Sequence, residues 1–179
     1  MNNVGAEHRV EWLFLDLNSF FASCEQQDNP AYRNRPLIVA PAAGVETTCA
    51  IAASIEAKRL GIKTNTPIWE ARQKCPGIII VGGSHRRYVE YHNAIIAAIE
   101  DCLHVDYVLS IDECACRLLG DEQVPDNAIK LAQHVKATIA KRVGECLTSS
   151  IGLAPNRFMG KIASNMQKPN GLTVLTRAD

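Results

Sequence analysis

Three acids in this chain each close an apolar run. Asp16 follows "WLFL", and the adjacent pair Asp112 and Glu113 follows "YVLSI". Two ionised carboxylates ~4 Å apart repel by about 4 kcal/mol at an effective dielectric of ~20. Carboxylates gathered without a compensating cation relieve that repulsion by taking up a proton. A divalent cation removes it directly. An all-oxygen ligand set selects Mg²⁺, or Mn²⁺, over zinc, and Mg²⁺ held by a few carboxylates keeps positions open for phosphate oxygens. Two such ions ~3.5–4 Å apart activate an attacking oxygen and stabilise a leaving one. An acid at a strand end is also an ordinary solvated turn residue, and spacing alone does not bring Asp16 to Asp112.

The elements that must position these acids follow from periodicity. "EWLFLDL" (11–17) predicts a buried strand, and "NSFFASCEQQ" predicts a helix capped by Asn18 or Ser19. "RPLIVAP" (35–41) and "GIIIVG" (77–82) predict strands. "TTCAIAAS" (47–54) is ambiguous. "IEAKRLG" predicts a short helix ended by Gly61, and "TPIWEARQKC" (66–75) a helix with Thr66 as N-cap and Pro67 at its first position. Long helices are expected over about 84–103 and 125–146. Their inward stripes are Tyr88, Tyr91, Ile95, Ala98, Cys102 and Ile129, Ala132, Val135, Ile139, Val143. Strands are expected at 106–112, 114–119 and 148–154. A helix opened by Pro155 follows, then a turn and a final extended stretch. This order implies an α+β sheet with long helices on one face. The short elements of about 20–81 imply an inserted lobe.

Lys+Arg and Asp+Glu balance at 19 each, so net charge identifies no partner. The distribution is uneven: residues 125–177 hold eight basic and two acidic side chains, a net +6. Such a segment suits phosphates, or is an ordinary solvated helix face. Seven cysteines, an odd number, follow the polar stretch "MNNVGAEHRV", which lacks the apolar core of a signal peptide. The reading is a reduced, cytosolic chain with no membrane span. Cys114 and Cys116 form C-x-C without a partner pair at zinc spacing, and read as small buried hydrophobes.

The stretches "LFLDLNSFFASCEQ", "RPLIVAP", "EAKRLGIKTNTPIWEARQKCPG", "SIDE" and "SIGLAPNRFMGKIASNMQKPNGLTVL" resemble the Y-family translesion DNA polymerases, in family order over almost the whole chain. "NSFFASCE" and "IEAK" place the branch nearer the bacterial mutagenesis (UmuC-type) proteins than the archaeal members. The resemblance implies a polymerase palm over 1–19 and 82–168, with fingers over 20–81. It implies the start of a truncated thumb over 169–179, because the family's thumb and DNA-gripping domain follow "KPNGLTV". Asp16, Asp112 and Glu113 match the palm carboxylates that hold two Mg²⁺ ions (Mn²⁺ can substitute), with Leu17 lending a backbone carbonyl. Asn18, Ser19, Phe20 and Phe21 match the stretch whose N–H groups cradle the incoming triphosphate, as a strand-to-helix turn can. Phe21 matches the steric gate beneath the sugar. Lys161 matches the lysine that reaches the triphosphate.

The implied activity is error-prone, template-directed nucleotidyl transfer from a deoxynucleoside triphosphate to a primer 3′-hydroxyl in damage bypass and the SOS response. Primer–template DNA is the implied partner. A sliding clamp or recombinase would bind through regions absent here. The chain departs from the family at Ala52 and Ile55, where many members carry Thr and Tyr, and at Lys58, where they carry Arg. Lysine is a point charge where arginine offers a planar fork, so the fingers' grip on phosphate is weaker or differently arranged. Two other classes compete. One is a non-catalytic polymerase-like adaptor in a repair complex, against which the three acids argue. The other is a cyclase-type palm, against which the "KIASNMQKPNGLTV" and "IEAKRLG" segments argue.

Overall fold

The computed structural model describes residues 8–42 and 44–178, so most of the polar N-terminal stretch read as carrying no signal peptide lies outside the described residues. Along the chain run β1 (Trp12–Leu17), α1 (Phe20–Asp28), a 3₁₀ turn (Pro30–Tyr32), β2 (Leu37–Ala40), β3 (Ala52–Ala53), α2 (Ile55–Arg59), α3 (Ile68–Lys74) and β4 (Ile79–Gly82). Then come α4 (His85–Glu100), β5 (Tyr107–Val108), β6 (Glu113–Arg117), a second 3₁₀ turn (Gly120–Gln123), α5 (Pro125–Arg142), β7 (Ser149–Ala154), α6 (Arg157–Met166) and β8 (Leu172–Val174). The expected α+β class is the one found. The elements form two compact units, residues 1–18 with 92–179, and residues 19–91.

The first unit is built on a five-stranded mixed sheet in the order β5-β6-β1-β7-β8. β1 is central and pairs antiparallel with β6 and β7, while β8 pairs parallel with β7. Side chains alternate across β1, so Leu13, Leu15 and Leu17 share one face and Trp12, Phe14 and Asp16 the other. Ile95 and Ile99 of α4 line a small crevice together with Leu15 and Leu17 of the first face. α6 lies on the second, where Gly160 sits against Phe14. Gly152 of β7 makes that close approach possible: a Cβ there would stand 2.1 Å from the Gly160 carbonyl oxygen and 2.6 Å from the Ser164 nitrogen. Cys114 and Cys116 are buried in β6, as expected of small hydrophobes.

The second unit holds a three-stranded sheet in the order β3-β2-β4, with β2 and β4 parallel. The ambiguous 47–54 stretch supplies only the two-residue β3. Ile38, Ala40, Ala53, Ala57, Ile62, Ile68 and Ile78 belong to its core. Ser54 caps α2 by accepting from Ala57 N at 3.2 Å, and Gly61 ends it at φ 73°. Arg87 grips Asp28 with two bonds, Nε to Oδ2 at 2.8 Å and a terminal nitrogen to Oδ1 at 2.6 Å. Tyr91 donates to the same carboxylate at 2.6 Å, and Tyr88 donates to Glu25 at 2.7 Å. These bonds lace α1 to the first turns of α4.

Several expected boundaries move, each for a local reason. Thr66 does not cap α3: its hydroxyl accepts from Lys63 N, and Pro67 takes the N-cap position. α6 starts after Asn156, whose side chain accepts from Met159 N at 2.9 Å, and not at Pro155. The strand expected over 106–112 stops at Val108, because the N–H groups of Leu109 and Ser110 both turn onto the Glu113 carbonyl. α5 stops at Arg142, short of 146, where Val143 and Gly144 both donate to Ile139 O. No described helix is long and apolar enough to cross a membrane.

Candidate active site

The C-terminal end of β1 carries Asp16, which is 5% exposed. Register places it directly opposite Glu113 on β6. Directly opposed side chains stand on the same face, ~4.5–5.5 Å apart at Cβ, so these two carboxylates converge. Lys161, one turn into α6 on that face, donates from Nζ to Asp16 Oδ2 at 2.6 Å and also to Glu113 Oε1. Lys168 Nζ lies 2.7 Å from the same Asp16 oxygen. Two positive and two negative groups therefore share one end of the sheet. Burial pulls the Lys161 pKa down, but its hydrogen bonds to Asp16 and Glu113 outweigh that and hold it above the ordinary lysine value. The ammonium stays charged.

Asp112 is placed differently. Its carbonyl accepts from Leu17 N at 2.9 Å, which ties the turn before β6 to the end of β1. Its carboxylate Oδ1 accepts from the Ser110 hydroxyl at 2.7 Å. Glu113, the first residue of β6, shares the face of Asp16, while Asp112 lies in the bend just before the strand. Of the three expected carboxylates, register and Lys161 bring Asp16 and Glu113 together, and Asp112 is tied alongside through its backbone. Among the described residues no group of three or more Asp, Glu, His or Cys side chains stands close enough to share an ion. The donor set is still all oxygen, which suits Mg²⁺ or Mn²⁺. The point between Asp16 and Glu113 already draws positive charge, in the form of Lys161. These residues fit a hard divalent cation.

Leu17 and Asn18 complete the end of β1. Asn18 is buried, its amide donating to Thr148 Oγ1 at 3.2 Å and its carbonyl oxygen accepting from Ser150 Oγ at 2.9 Å. That engagement with β7 is why Asn18 does not cap α1. Ser19 takes the N-cap position instead, in the left-handed region at φ 49°, with no side-chain capping bond. Phe20 is 4% exposed and Phe21 half-buried, its ring stacked on Tyr88 at 4.3 Å and 13°. Ser19, Phe20, Phe21 and Lys58 all belong to the second unit. Lys58 is exposed on α2, Ala52 is buried in β3, and Ile55 is half-buried at the start of α2. Sequence reasoning did not single out Lys168 or Ser110. A basic residue before the "PNG" turn was the available signal for Lys168.

A family model described as impB/mucB/samB family matches residues 15–165. DNA polymerase IV of Moorella thermoacetica is 38% identical over 168 residues, covering 93% of this chain and 42% of the relative. DNA polymerase IV 1 of Bacillus subtilis is 34% identical over 167 residues, covering 91% and 39%. Among solved structures, an insertion ternary complex of Dbh DNA polymerase matches with TM-score 0.83 at 33% identity, covering 93% of this chain and 49% of that one. DinB from Sulfolobus solfataricus matches with TM-score 0.82 at 33% identity, covering 92% and 48%. This chain thus spans less than half the length of these relatives.

Proposed function

This chain belongs to the impB/mucB/samB family, and we propose that it is the palm-and-fingers core of a Y-family DNA polymerase. Residues 1–19 with 82–168 would be the palm, 20–81 the fingers and 169–179 the start of a thumb, an outline that the two compact units, 1–18 with 92–179 and 19–91, support. The reaction is template-directed transfer of a deoxynucleotide to a primer 3′-hydroxyl during bypass of damaged DNA in the bacterial cytosol. The observation that carries this reading is the in-register pair Asp16–Glu113, joined by Lys161, at one end of a central strand.

Asp16, Glu113 and Asp112, with the Leu17 carbonyl, would hold Mg²⁺, which supplies charge neutralisation at the transferring phosphoryl group. Two ions are proposed, because the family's chemistry has both an attacking and a leaving oxygen to stabilise. The backbone N–H groups of Asn18–Phe21 would bind triphosphate oxygens. Lys161, and Lys58 from α2, would add positive charge to that grip, as point charges and not as forks. The flat ring of Phe21 would lie beneath the sugar and exclude a 2′-hydroxyl. Primer–template DNA is the proposed partner. The Dbh polymerase complex that this chain resembles is described as an insertion ternary complex. Clamp or recombinase contacts, and a role in the SOS response, are the further expectation for a longer protein of this family.

The test is equilibrium binding of dATP and ATP with Mg²⁺. The proposal expects dATP to bind and ATP to bind at least tenfold more weakly. Preference for ATP would point to a cyclase-type palm. Failure to bind either nucleotide would point to an adaptor.

A further inference from the structure

We infer that His92 is a positioning residue for the Asp112–Glu113 turn, a role that rests on the polymerase reading above only for its catalytic consequence. His92 lies in α4 within the first unit, half-buried, and its Nδ1 stands 2.8 Å from the Ile111 carbonyl oxygen. A carbonyl can only accept. The contact therefore requires a proton on Nδ1, which fixes the tautomer.

The bond acts on the backbone just before the acids. Ile111 O and Asp112 N share one rigid peptide plane, so holding that oxygen fixes the plane from which Asp112 departs. The next two planes are held separately. Asp112 O accepts from Leu17 N at 2.9 Å, and Glu113 O accepts from Leu109 N at 2.9 Å. His92 thus supplies the first of three successive clamps, on a plane whose other end, Asp112 N, makes only a longer bond of 3.4 Å to the Ser110 hydroxyl.

Packing does not replace it. The turn borders a small crevice lined by Leu15, Leu17, Ile95, Ile99 and Cys114 besides His92 and the acids. Apolar walls press on a backbone turn without fixing its direction, since dispersion contacts are individually weak and non-directional. A directional bond from a helix does what packing here does not. In sequence, His92 reads only as a polar residue next to the Tyr88–Tyr91 stripe.

The experiment compares the whole chain with His92→Leu, which keeps bulk and removes the donor, and with His92→Asn, whose amide nitrogen reaches about where Nδ1 does. Long-range ¹H–¹⁵N NMR of the wild type should show His92 protonated at Nδ1. A proton on Nε2 alone would overturn the inference without any variant having to fold. Amide exchange at Leu17 and Leu109 should speed up about fivefold in His92→Leu, the worth of one hydrogen bond. It should return towards wild type in His92→Asn, while Ile139 in α5 and Val143 just after it stay unchanged. Unchanged exchange at Leu17 and Leu109 in His92→Leu would overturn the inference. Mn²⁺ binding with dATP, measured by electron paramagnetic resonance on the same proteins, bears on the catalytic consequence. Weaker binding in His92→Leu with rescue in His92→Asn supports it. A wild type that binds no Mn²⁺ would count against the polymerase reading and leave the exchange result to decide the positioning role.

Discussion

Replacing Gly152 with alanine should unseat α6 from the sheet. Gly152 faces α6 from the middle of β7, and a Cβ there would stand 2.1 Å from Gly160 O, 2.6 Å from Ser164 N and 2.8 Å from Ala163 Cβ. Ordinary contact begins near 3.4 Å. The helix would therefore have to withdraw by about 1 Å, because backbone atoms cannot rotate aside as a side chain can. Overpacking a core costs about 1–3 kcal/mol, and a clash with two backbone atoms belongs at the upper end. For a domain of this size each kcal/mol lowers the melting temperature by about 2–4 °C, so Gly152→Ala should melt ~6–12 °C below wild type. The displacement would also move Lys161 away from Asp16 and Glu113. Circular dichroism melts measure the first effect. Gly77→Ala is the control, since nothing lies within 4 Å of its Cβ position, and it should melt within about 2 °C of wild type. A Gly152→Ala protein that also melts within about 2 °C of wild type would refute the close-packing argument.

Other perturbations test other parts of the account. Arg87's hydrogen bonds hold Asp28 below its ordinary value of 3.8, so the pair's stabilisation is present above that pH and lost as pH falls through the lowered value. Urea unfolding between pH 7 and pH 2 should show this loss, up to about 1 kcal/mol for so exposed a pair, and Asp28→Asn should remove it. Phe21→Ala should raise ATP affinity relative to dATP by roughly ten- to hundredfold, because a buried 2′-hydroxyl without a partner costs ~1–3 kcal/mol. An unchanged ratio would leave Phe21 with only its stacking on Tyr88. The chain by itself should bind duplex DNA weakly at physiological salt, because backbone affinity scales with phosphates neutralised and its net charge is zero. A nanomolar dissociation constant by fluorescence anisotropy would contradict this.

The sequence made β1 and its closing acid Asp16 legible through the apolar run "WLFL", whereas the run before Asp112 is a strand only as far as Val108. The family motifs then supplied the roles proposed for Asp16 and Glu113. What it did not disclose depends on partners far away in the chain. Asn18 looks like a helix cap until Ser150 of β7 and Thr148 just before it reach its amide. Asp112 and Glu113 look equivalent until pairing with β1 sends one carboxylate to Asp16 and leaves the other with Ser110. Lys168 looks like one of many basic residues until its ammonium reaches Asp16 across the end of the sheet. The final extended stretch was readable as such, but its parallel pairing with β7 was not, since register between strands is set by contacts and not by local pattern.

The central claim is that Asp16 and Glu113 form a cation site that works with a nucleotide. Its most direct test is Mn²⁺ binding in the presence of dATP, followed by electron paramagnetic resonance in the wild type, Asp16→Asn and Glu113→Gln. The account predicts saturable Mn²⁺ binding by the wild type that strengthens with dATP and falls at least tenfold in either variant, each having lost one charged oxygen ligand. Equal Mn²⁺ binding by all three proteins would contradict the claim.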